Sequence, residues 1–321
     1  MRITEQQAAE MLLSMDNILI LAHEDPDGDA VGSACGLCRG LRSLGKTAYV
    51  SLEHMSKHMT FLTDGIVKDD YSPDYIVAVD TAERKMLGVA KTNIPKDCRV
   101  DLAIDHHYSN SMFAENTCLD ENAAAAAEVV TYILRIMNAA FTKETAQAIY
   151  VGVSTDTGCF RYSNTKAKTL RIAADMADLG ADIGEINKLQ FETKTREYAK
   201  LEKMALSSME LFLNGKLAVI AVTNDMYVQS GVDDSETKPL SSLTRQIEGV
   251  LVGVTLREKK KGTFNISVRT NEGVDASEIA GFFSGGGHKN AAGGKFQGSL
   301  KDAVDAIVLH TEEILGKTGR I

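Results

Sequence analysis

The sequence predicts an α/β fold, with an N-terminal doubly wound parallel sheet and a smaller second α/β domain. In the first half, short β-prone apolar runs alternate with helical stretches, which is typical of parallel sheets with connecting helices. The strand-like runs span residues 17–22, 47–52, 75–80 and 100–105. The helix predicted over 30–44 keeps its apolar residues on one face, at steps of four and three, and ends before Gly45, a suitable C-terminal cap.

The later elements follow from the same periodicities. Further helices are predicted over 121–137, 143–152, 166–179 and, as linking helices, 183–210. Past these the pattern changes to strands over 216–222, 248–258 and 262–270, a helix over 275–283 and a glycine-rich loop. The expected domains are therefore a first domain at 1–190, a helical linker at 191–211 and a domain with a mixed sheet at 212–321.

The composition of the chain limits which ligands and cellular settings are expected. The chain has 321 residues, a net charge of −9 and a pI of about 5.4. An acidic chain is a poor binder of long duplex nucleic acid, which basic surfaces hold, but a local pocket can still bind a few phosphates. No run reaches the ~18 apolar residues of a membrane span. Five cysteines without a disulfide pattern predict a reducing, cytoplasmic setting.

Acidic and histidine residues follow the predicted strands and one predicted helix. Since the carboxyl ends of parallel strands share one edge of the sheet, where ligands bind, these side chains are expected in one crevice. Pro26 and Gly28 favour a tight turn among the first of them. The residues concerned are His23, Asp27, Asp29, Asp80, Asp105, His106, His107 and Asp156.

So many carboxylates in one crevice repel each other unless cations are bound. A mixture of Asp and His ligands without thiolate favours a hard or borderline divalent ion. Mn²⁺ fits best, with Mg²⁺ or Co²⁺ as alternatives. The candidate ligands exceed what one ion needs, so two ions sharing a bridging carboxylate are expected. Such pairs suit the hydrolysis of phosphate esters.

Five motifs carry a family resemblance. "HEDPDGDAVGS" (23–33), "VAVDTA" (77–82), "DHH" (105–107) and "STDTGCFRYS" (154–163) resemble successive motifs of the DHH phosphoesterase superfamily. "GGGHKNAAGG" (285–294) resembles the glycine-rich motif of its associated C-terminal domain. The set covers nearly the whole chain and is most similar to the short subgroup of nanoRNA and pAp phosphatases, some of which also cleave pApA. One departure is the alanine run at 123–127, which stands where hydroxyl residues are expected and should touch no metal ligand.

The resemblance implies a role for each residue of the crevice. His107 would face the substrate phosphate, as a hydrogen-bond donor or as the acid for the leaving oxygen, and Asp105 would orient a histidine. Asp80 would bridge the two metals. The first metal would be held by His23 and Asp27, and the second by Asp29, His106 and Asp156.

The second domain is expected to supply donors for substrate phosphate. The loop glycines let the backbone approach an anion closely, and His288 adds a donor beside them. Arg269, at a strand end, and Arg161, just after Asp156, can each pair with a phosphate. A metal site on one domain and an anion loop on the other predict a cleft that suits small or single-stranded substrates. The loop glycines are Gly285, Gly286 and Gly287.

The sequence therefore predicts a cytoplasmic, two-manganese phosphoesterase acting on short single-stranded RNA and on small phosphorylated nucleotides such as pAp and pApA. A homodimer is compatible with the sequence but is not predicted by it. The alternatives within the superfamily are an inorganic pyrophosphatase and a single-strand exonuclease. From a different class comes a non-catalytic nucleotide-binding sensor, which should have lost some of the ligands that are all present here.

Overall fold

The computed structural model describes residues 1–232, 240–271, 273–317 and 319–320, with every side chain except that of His288. The chain divides into two compact units, Met1–Thr193 and Lys194–Ile321. Within the described residues, no helix combines the length and the apolar character that crossing a bilayer requires.

The first unit is built on a six-stranded sheet in which every pairing is parallel. This confirms the predicted α/β class with a parallel sheet. The sequence analysis missed the first and last strands in chain order, one because it has two residues and the other because it is only half apolar. In spatial order the strands are β1 (Arg2–Ile3), β6 (Asn116–Leu119), β5 (Leu102–Asp105), β4 (Tyr75–Val79), β2 (Ile18–Leu21) and β3 (Ala48–Ser51).

Alternate residues of these strands face opposite sides of the sheet, as the pleat requires. Ile18 and Ile20 belong to the large core formed with the helices, whereas Leu19 and Leu21 face a smaller core covered by irregular segments. All four side chains are fully buried. The helices of this unit are α1 (Glu5–Ser14), α2 (Gly28–Ser43), α3 (Ala126–Ile136), α4 (Lys143–Asp156), α5 (Ala167–Asp178) and α6 (Ile183–Asn187), followed by a π-helical turn at Lys188–Glu192.

Helix α2 packs against α4 almost backbone to backbone. A Cβ on Gly32 would lie 2.4 Å from the carbonyl oxygen of Ala148 and 2.7 Å from the backbone nitrogen of Gly152. A Cβ on Gly28 would lie 2.4 Å from the side chain of Thr155. Glycines at every fourth position of α2 thus let the two helices approach, which brings Asp29 next to the C-terminal half of α4.

Helix α3 starts later than expected. The predicted helix over 121–137 begins at Ala126, and Ala125 is extended, with φ −157° and no capping bond from its own side chain. Alanine has a high helix propensity but no group that can cap a helix, so the position of the start is set from outside the segment. The capping group is the carboxylate of Asp29.

The second unit holds a mixed six-stranded sheet, as predicted. The pairing of β8 with β9 is parallel and the other four are antiparallel. The strand predicted from residue 248 begins at 252, because Gly249 adopts φ +80° in a turn. In spatial order the strands are β11 (Gly286–His288), β12 (Ala291–Gln297), β10 (Thr263–Thr270), β9 (Val252–Lys260), β8 (Leu217–Val222) and β7 (Glu210–Phe212).

Helices cover both faces of this sheet. Leu201 and Ala205 pack with Ile220 and Val222 on one face, and the other face packs against α9 and α10. Most of the segment predicted as a linker, 191–211, therefore lies within the second unit. The helices are α7 (Arg196–Ser207), α8 (Asn224–Ser230), α9 (Ala276–Gly281) and α10 (Leu300–Lys317).

The glycine-rich segment, which was predicted as a loop, forms a β-hairpin of strands β11 and β12. Gly286 pairs with Gly293, and Gly287 pairs with Ala292. A Cβ on Gly285 would lie 1.9 Å from the carbonyl oxygen of Gly293, and Gly287 has φ +148°. The close approach of two backbones therefore requires glycine at these two positions, whatever else the segment binds.

Candidate metal centre

The predicted metal-binding residues of the first unit lie together at the carboxyl edge of its sheet. His23 stands just beyond the end of β2, Asp80 directly follows β4, and Asp105 is the last residue of β5. The fourth segment is helix α4, which continues four residues beyond its predicted end and finishes at Asp156. Parallel strands thus deliver distant side chains to one place, as the fold class predicted.

Three overlapping groups of side chains are close enough to hold a metal ion, since within each group the ligand atoms all lie within 4.8 Å of one another. Together they include all eight residues predicted for the crevice. The groups are His23, Asp27 and Asp80; Asp29, His106 and Asp156; and Asp80, Asp105, His106 and His107.

Asp80 belongs to the first group and also lies beside the second. Its Oδ2 is 4.0 Å from His23 Nε2, and its Oδ1 is 3.5 Å from His106 Nε2. The residue has φ +48°, a left-handed conformation that Asp adopts more readily than most residues, and its N–H donates to Ile104 O at 3.0 Å. Strand β4 therefore stops at a left-handed turn.

Among the described residues, the buried atoms Asp80 Oδ1 and His106 Nε2 make no hydrogen bond, although they lie only 3.5 Å from each other. A buried polar atom without a partner is costly, and a shared cation would satisfy both. His106 Nδ1 lies 3.4 Å from Ala123 O, a contact that favours a proton on Nδ1 and a lone pair on Nε2. Oxygen and imidazole donors with unpartnered atoms fit a hard or borderline divalent ion.

The pKa values of the cluster also favour a cation-binding site. Burial, and next the charge of Asp80, raise the pKa of Asp29 to about 7. Burial and the charge of Asp29 raise the pKa of Asp156 well above its usual value. Burial opposes a charged His106, but Asp80, Asp29 and Asp156 outweigh it and raise its pKa. The metal-free cluster therefore retains protons near neutral pH, in the place that cations would take.

The carboxylate of Asp29 is fully buried and accepts three hydrogen bonds. Its Oδ2 accepts from Ala126 N at 2.6 Å, and its Oδ1 accepts from Ala127 N at 3.0 Å and Ser33 Oγ at 3.1 Å. A Cβ on Gly152 would lie 2.9 Å from the same Oδ1. The expectation that the alanine run touches no ligand was wrong, because its backbone binds Asp29.

Asp105 fixes the orientation of His107. Its Oδ1 lies 2.8 Å from His107 Nδ1 and also accepts from the backbone N–H of His106 at 2.8 Å. Its Oδ2 accepts from Asn110 Nδ2 at 2.6 Å. Burial opposes charge on His107, but Asp105 and Asp80 outweigh it and raise the pKa of the imidazole. The sequence analysis missed Asn110, although it stands only three residues after the DHH motif.

A strained turn follows Asp156. Gly158, Cys159 and Phe160 have φ of +56°, +58° and +62°, and for the two non-glycine residues this costs ~1–2 kcal/mol each. Thr157 Oγ1 accepts from Phe160 N at 3.0 Å, which holds the turn. Arg161 Nε donates to Gly158 O at 2.5 Å, so the predicted phosphate-binding arginine is attached to this turn.

The predicted phosphate-binding residues of the second unit are neighbours within that unit. Arg269, on β10, pairs with Ala291 of β12, and its Nη1 donates to Val268 O at 3.0 Å. Gly285, Gly286 and Gly287 precede or form β11, which pairs with β12. The side chain of His288 lies outside the described part of the structure, so its predicted role rests on the sequence.

Comparisons with known proteins agree with this architecture. The "DHH family, N-terminal domain" matches residues 17–153, and the "DHHA1 domain" matches residues 214–317. The bifunctional oligoribonuclease and PAP phosphatase NrnA of Thermus thermophilus is 32% identical, over 97% of this chain and 94% of that protein. An exopolyphosphatase-related protein from Bacteroides fragilis superposes with a TM-score of 0.84 at 24% identity, covering 96% and 95% of the two chains. RecJ of T. thermophilus in complex with Mn²⁺ gives a TM-score of 0.56 at 15% identity, covering 98% of this chain and 55% of its own.

Proposed function

The chain belongs to the DHH family and is a hydrolytic enzyme acting on phosphodiester or phosphate bonds; from this premise we propose that it hydrolyses short oligoribonucleotides and small phosphorylated nucleotides such as pAp and pApA. The name of the T. thermophilus relative, which aligns along almost its whole length, supports this substrate class. Five cysteines, with Cys35 and Cys38 buried as thiols, support a cytoplasmic setting.

The observation that carries the proposal is the contact between two adjacent groups of candidate ligands, where the buried atoms Asp80 Oδ1 and His106 Nε2 lie 3.5 Å apart and, among the described residues, make no hydrogen bond. One ion would be held by His23, Asp27 and Asp80. The other would be held by Asp29, His106 and Asp156, with Asp80 shared. When bound, two divalent ions lower the pKa of water and neutralise charge on phosphate oxygens. Mn²⁺ is the proposed ion, with Mg²⁺ or Co²⁺ as alternatives, and the fold shared with manganese-bound RecJ supports this choice.

His107 is the proposed proton donor. Asp105 Oδ1 holds His107 Nδ1, which turns Nε2 away from Asp105, and although burial opposes a charged ring, Asp105 and Asp80 raise its pKa. A protonated Nε2 can donate a hydrogen bond to a phosphate oxygen or transfer its proton to the leaving oxygen. Asp105 is a positioning residue in this scheme, since its oxygens are taken up by His106, His107 and Asn110.

The guanidinium of Arg161 is proposed to bind a substrate phosphate. The bond from Nε to Gly158 O fixes the arginine on the turn after Asp156 and leaves its outer nitrogens for a forked contact. Within the second unit, Arg269, His288 and the hairpin glycines 285–287 are the proposed phosphate-binding group. Local donors of this kind allow an acidic chain to bind short substrates without a basic face.

The test is a substrate panel with purified protein and Mn²⁺, followed by identification of the products. The panel contains pAp, pApA, oligoribonucleotides of about five and about 25 nucleotides, and inorganic pyrophosphate, with Asp80→Asn as the inactive control. We expect turnover of the nucleotides and of the short oligomer. Equal rates on the short and long oligomers would favour the exonuclease alternative, and turnover of pyrophosphate alone would favour the pyrophosphatase. Binding without turnover would indicate the sensor.

A further inference from the structure

Two exposed tyrosines follow residues of the candidate metal centre in the first unit. Tyr108 directly follows His107 and is 62% exposed, and Tyr162 lies six residues after Asp156 and is 39% exposed. His106 contacts both His107, which precedes Tyr108, and Asp156, which precedes the turn with Tyr162. Its ring centroid is 4.4 Å from that of His107, and its Nε2 is 3.4 Å from Asp156 Oδ2.

Tyr162 is held on the turn that follows Asp156. A Cβ on Gly158 would lie 2.3 Å from Cζ of the tyrosine ring and 2.6 Å from its Cε1, so the ring lies directly against the glycine backbone. The backbone N–H of Tyr162 donates to Thr157 O at 3.0 Å. The same turn carries Arg161, so an aromatic ring and a guanidinium are presented side by side.

Tyr108 is held by the turn that follows the DHH motif. The N–H of Asn110 donates to His107 O at 3.0 Å, which closes the turn around Tyr108. The side chain of Asn110 donates to Asp105 Oδ2 at 2.6 Å and to Thr81 O at 3.3 Å, which anchors it to the sheet edge. The turn that carries Tyr108 is thus hydrogen-bonded to the sheet edge through Asn110.

We propose that Tyr108 and Tyr162 form an aromatic rim on which unpaired nucleobases of the substrate stack, so that the enzyme prefers nucleotides to base-free phosphates. This inference rests on the proposed function. Stacking on aromatic rings tolerates any base and requires the base to be unpaired, which fits short single-stranded RNA. It also requires no positive charge, which fits an acidic chain. The metal centre and Arg161 would then bind phosphate, and the rim would bind the base.

The experiment compares pApA with the same compound lacking both bases, and it measures the ratio of the two kcat/KM values. Tyr108→Leu and Tyr162→Leu should each lower this preference ratio about five- to hundredfold, because leucine keeps apolar volume but cannot stack. Tyr108→Phe and Tyr162→Phe should retain the ratio. Phe61→Leu changes another exposed aromatic residue, outside the metal centre, and should leave the ratio unchanged.

The outcomes separate this inference from the proposed function. A preference ratio that stays at the parent value in both leucine variants would overturn the rim. Equal losses on both compounds would do the same, since the tyrosines would then support the metal centre and not the bases. A parent protein that hydrolyses neither compound would overturn the proposed function, and the rim with it.

Discussion

Asp29 Oδ2 lies 2.6 Å from the backbone nitrogen of Ala126, so a carboxylate on α2 caps the start of α3. The neighbouring N–H of Ala127 donates to the other oxygen of the same carboxylate. One side chain therefore has two tasks, as a candidate metal ligand and as the cap of a helix 97 residues away in sequence. We therefore expect metal binding and the stability of the first unit to be coupled through Asp29.

Replacing Asp29 with Ala should destabilise the metal-free protein by ~1–3 kcal/mol, because the backbone N–H groups of Ala126 and Ala127 lose their acceptor in a buried place. Urea unfolding in EDTA measures this. Asp27→Asn is the matched control, since Asp27 caps α2 and Asn caps helices equally well. It should leave the free energy of unfolding nearly unchanged while weakening Mn²⁺ binding. Equal stability of Asp29→Ala and the parent would contradict the capping role.

Replacing Asp80 with Asn should abolish activity and leave the fold intact. Asn tolerates the left-handed backbone at this position, so the change removes the charge without adding strain. The metal-free variant should unfold somewhat below the parent temperature, because His106, His107 and His23 lower the pKa of Asp80 and its charge therefore stabilises the folded chain. Mn²⁺ should no longer raise that temperature. Calorimetric titration with Mn²⁺ and a turnover assay provide the check, and near-normal turnover would refute a shared ligand at Asp80.

The metal-free protein should lose stability as pH rises from about 5 to about 8. The pKa of Asp29 is raised to about 7, so between its unfolded value and 7 the folded chain binds more protons than the unfolded chain. The pKa of His106 is also raised, so its contribution is full below 6.5 and is lost as pH rises through the higher folded value. Both effects have the same sign. Asp80, whose pKa is lowered, contributes the opposite trend only below about 4.

Manganese should reverse this pH dependence, because the ion competes with protons for the same oxygen and nitrogen atoms. The rise in unfolding temperature on adding Mn²⁺ should therefore be larger at pH 8 than at pH 6. Thermal unfolding with EDTA and with Mn²⁺ across this range tests the prediction. A metal-induced shift that does not change with pH would show that the raised pKa values belong to groups that bind no metal.

Replacing Gly32 with Ala should destabilise the first unit by ~1–3 kcal/mol, because the new methyl group would lie 2.4 Å from Ala148 O on α4 and push two helices apart. Gly316→Ala is the control. It lies in α10, where a Cβ would meet nothing within 4 Å, so it should be neutral or stabilising by up to ~1 kcal/mol. Chemical denaturation of both variants gives the comparison. A stable Gly32→Ala protein would show that α2 and α4 can separate at no cost.

The residue types predicted which side chains lie together, because strand ends of a parallel sheet meet at one edge, and Asp80 and His106 follow from that rule, whereas Asp156 stands at the end of helix α4. The features that could not be predicted from the sequence depend on contacts between distant segments. Alanine propensity predicted a helix over 121–137, but the start at Ala126 is set by Asp29, which local propensity cannot detect. The glycines of "GGGHKNAAGG" predicted a loop. Gly285 is required, however, because its backbone lies against that of Gly293 in strand β12. The spacing of Gly28 and Gly32 was a visible signal of close helix packing that the analysis did not use.

Replacing Asp105 with Ala should lower kcat about ten- to hundredfold and leave both metals bound, because Asp105 orients His107 and contributes to the centre through it. The pH profile separates this from general damage. Asp105 raises the pKa of His107, so its loss should lower that pKa, and activity that needs the protonated ring should decline at lower pH than in the parent. Asn110→Ala removes the hydrogen bond to Asp105 Oδ2 together with those to Thr81 O and from Met112 N, and should shift the pH profile in the same direction by less. Calorimetric titration with Mn²⁺ checks that the ligands remain intact in both variants. If Asp105→Ala loses a metal, or if it keeps the parent pH profile despite a lower kcat, Asp105 does not act through His107.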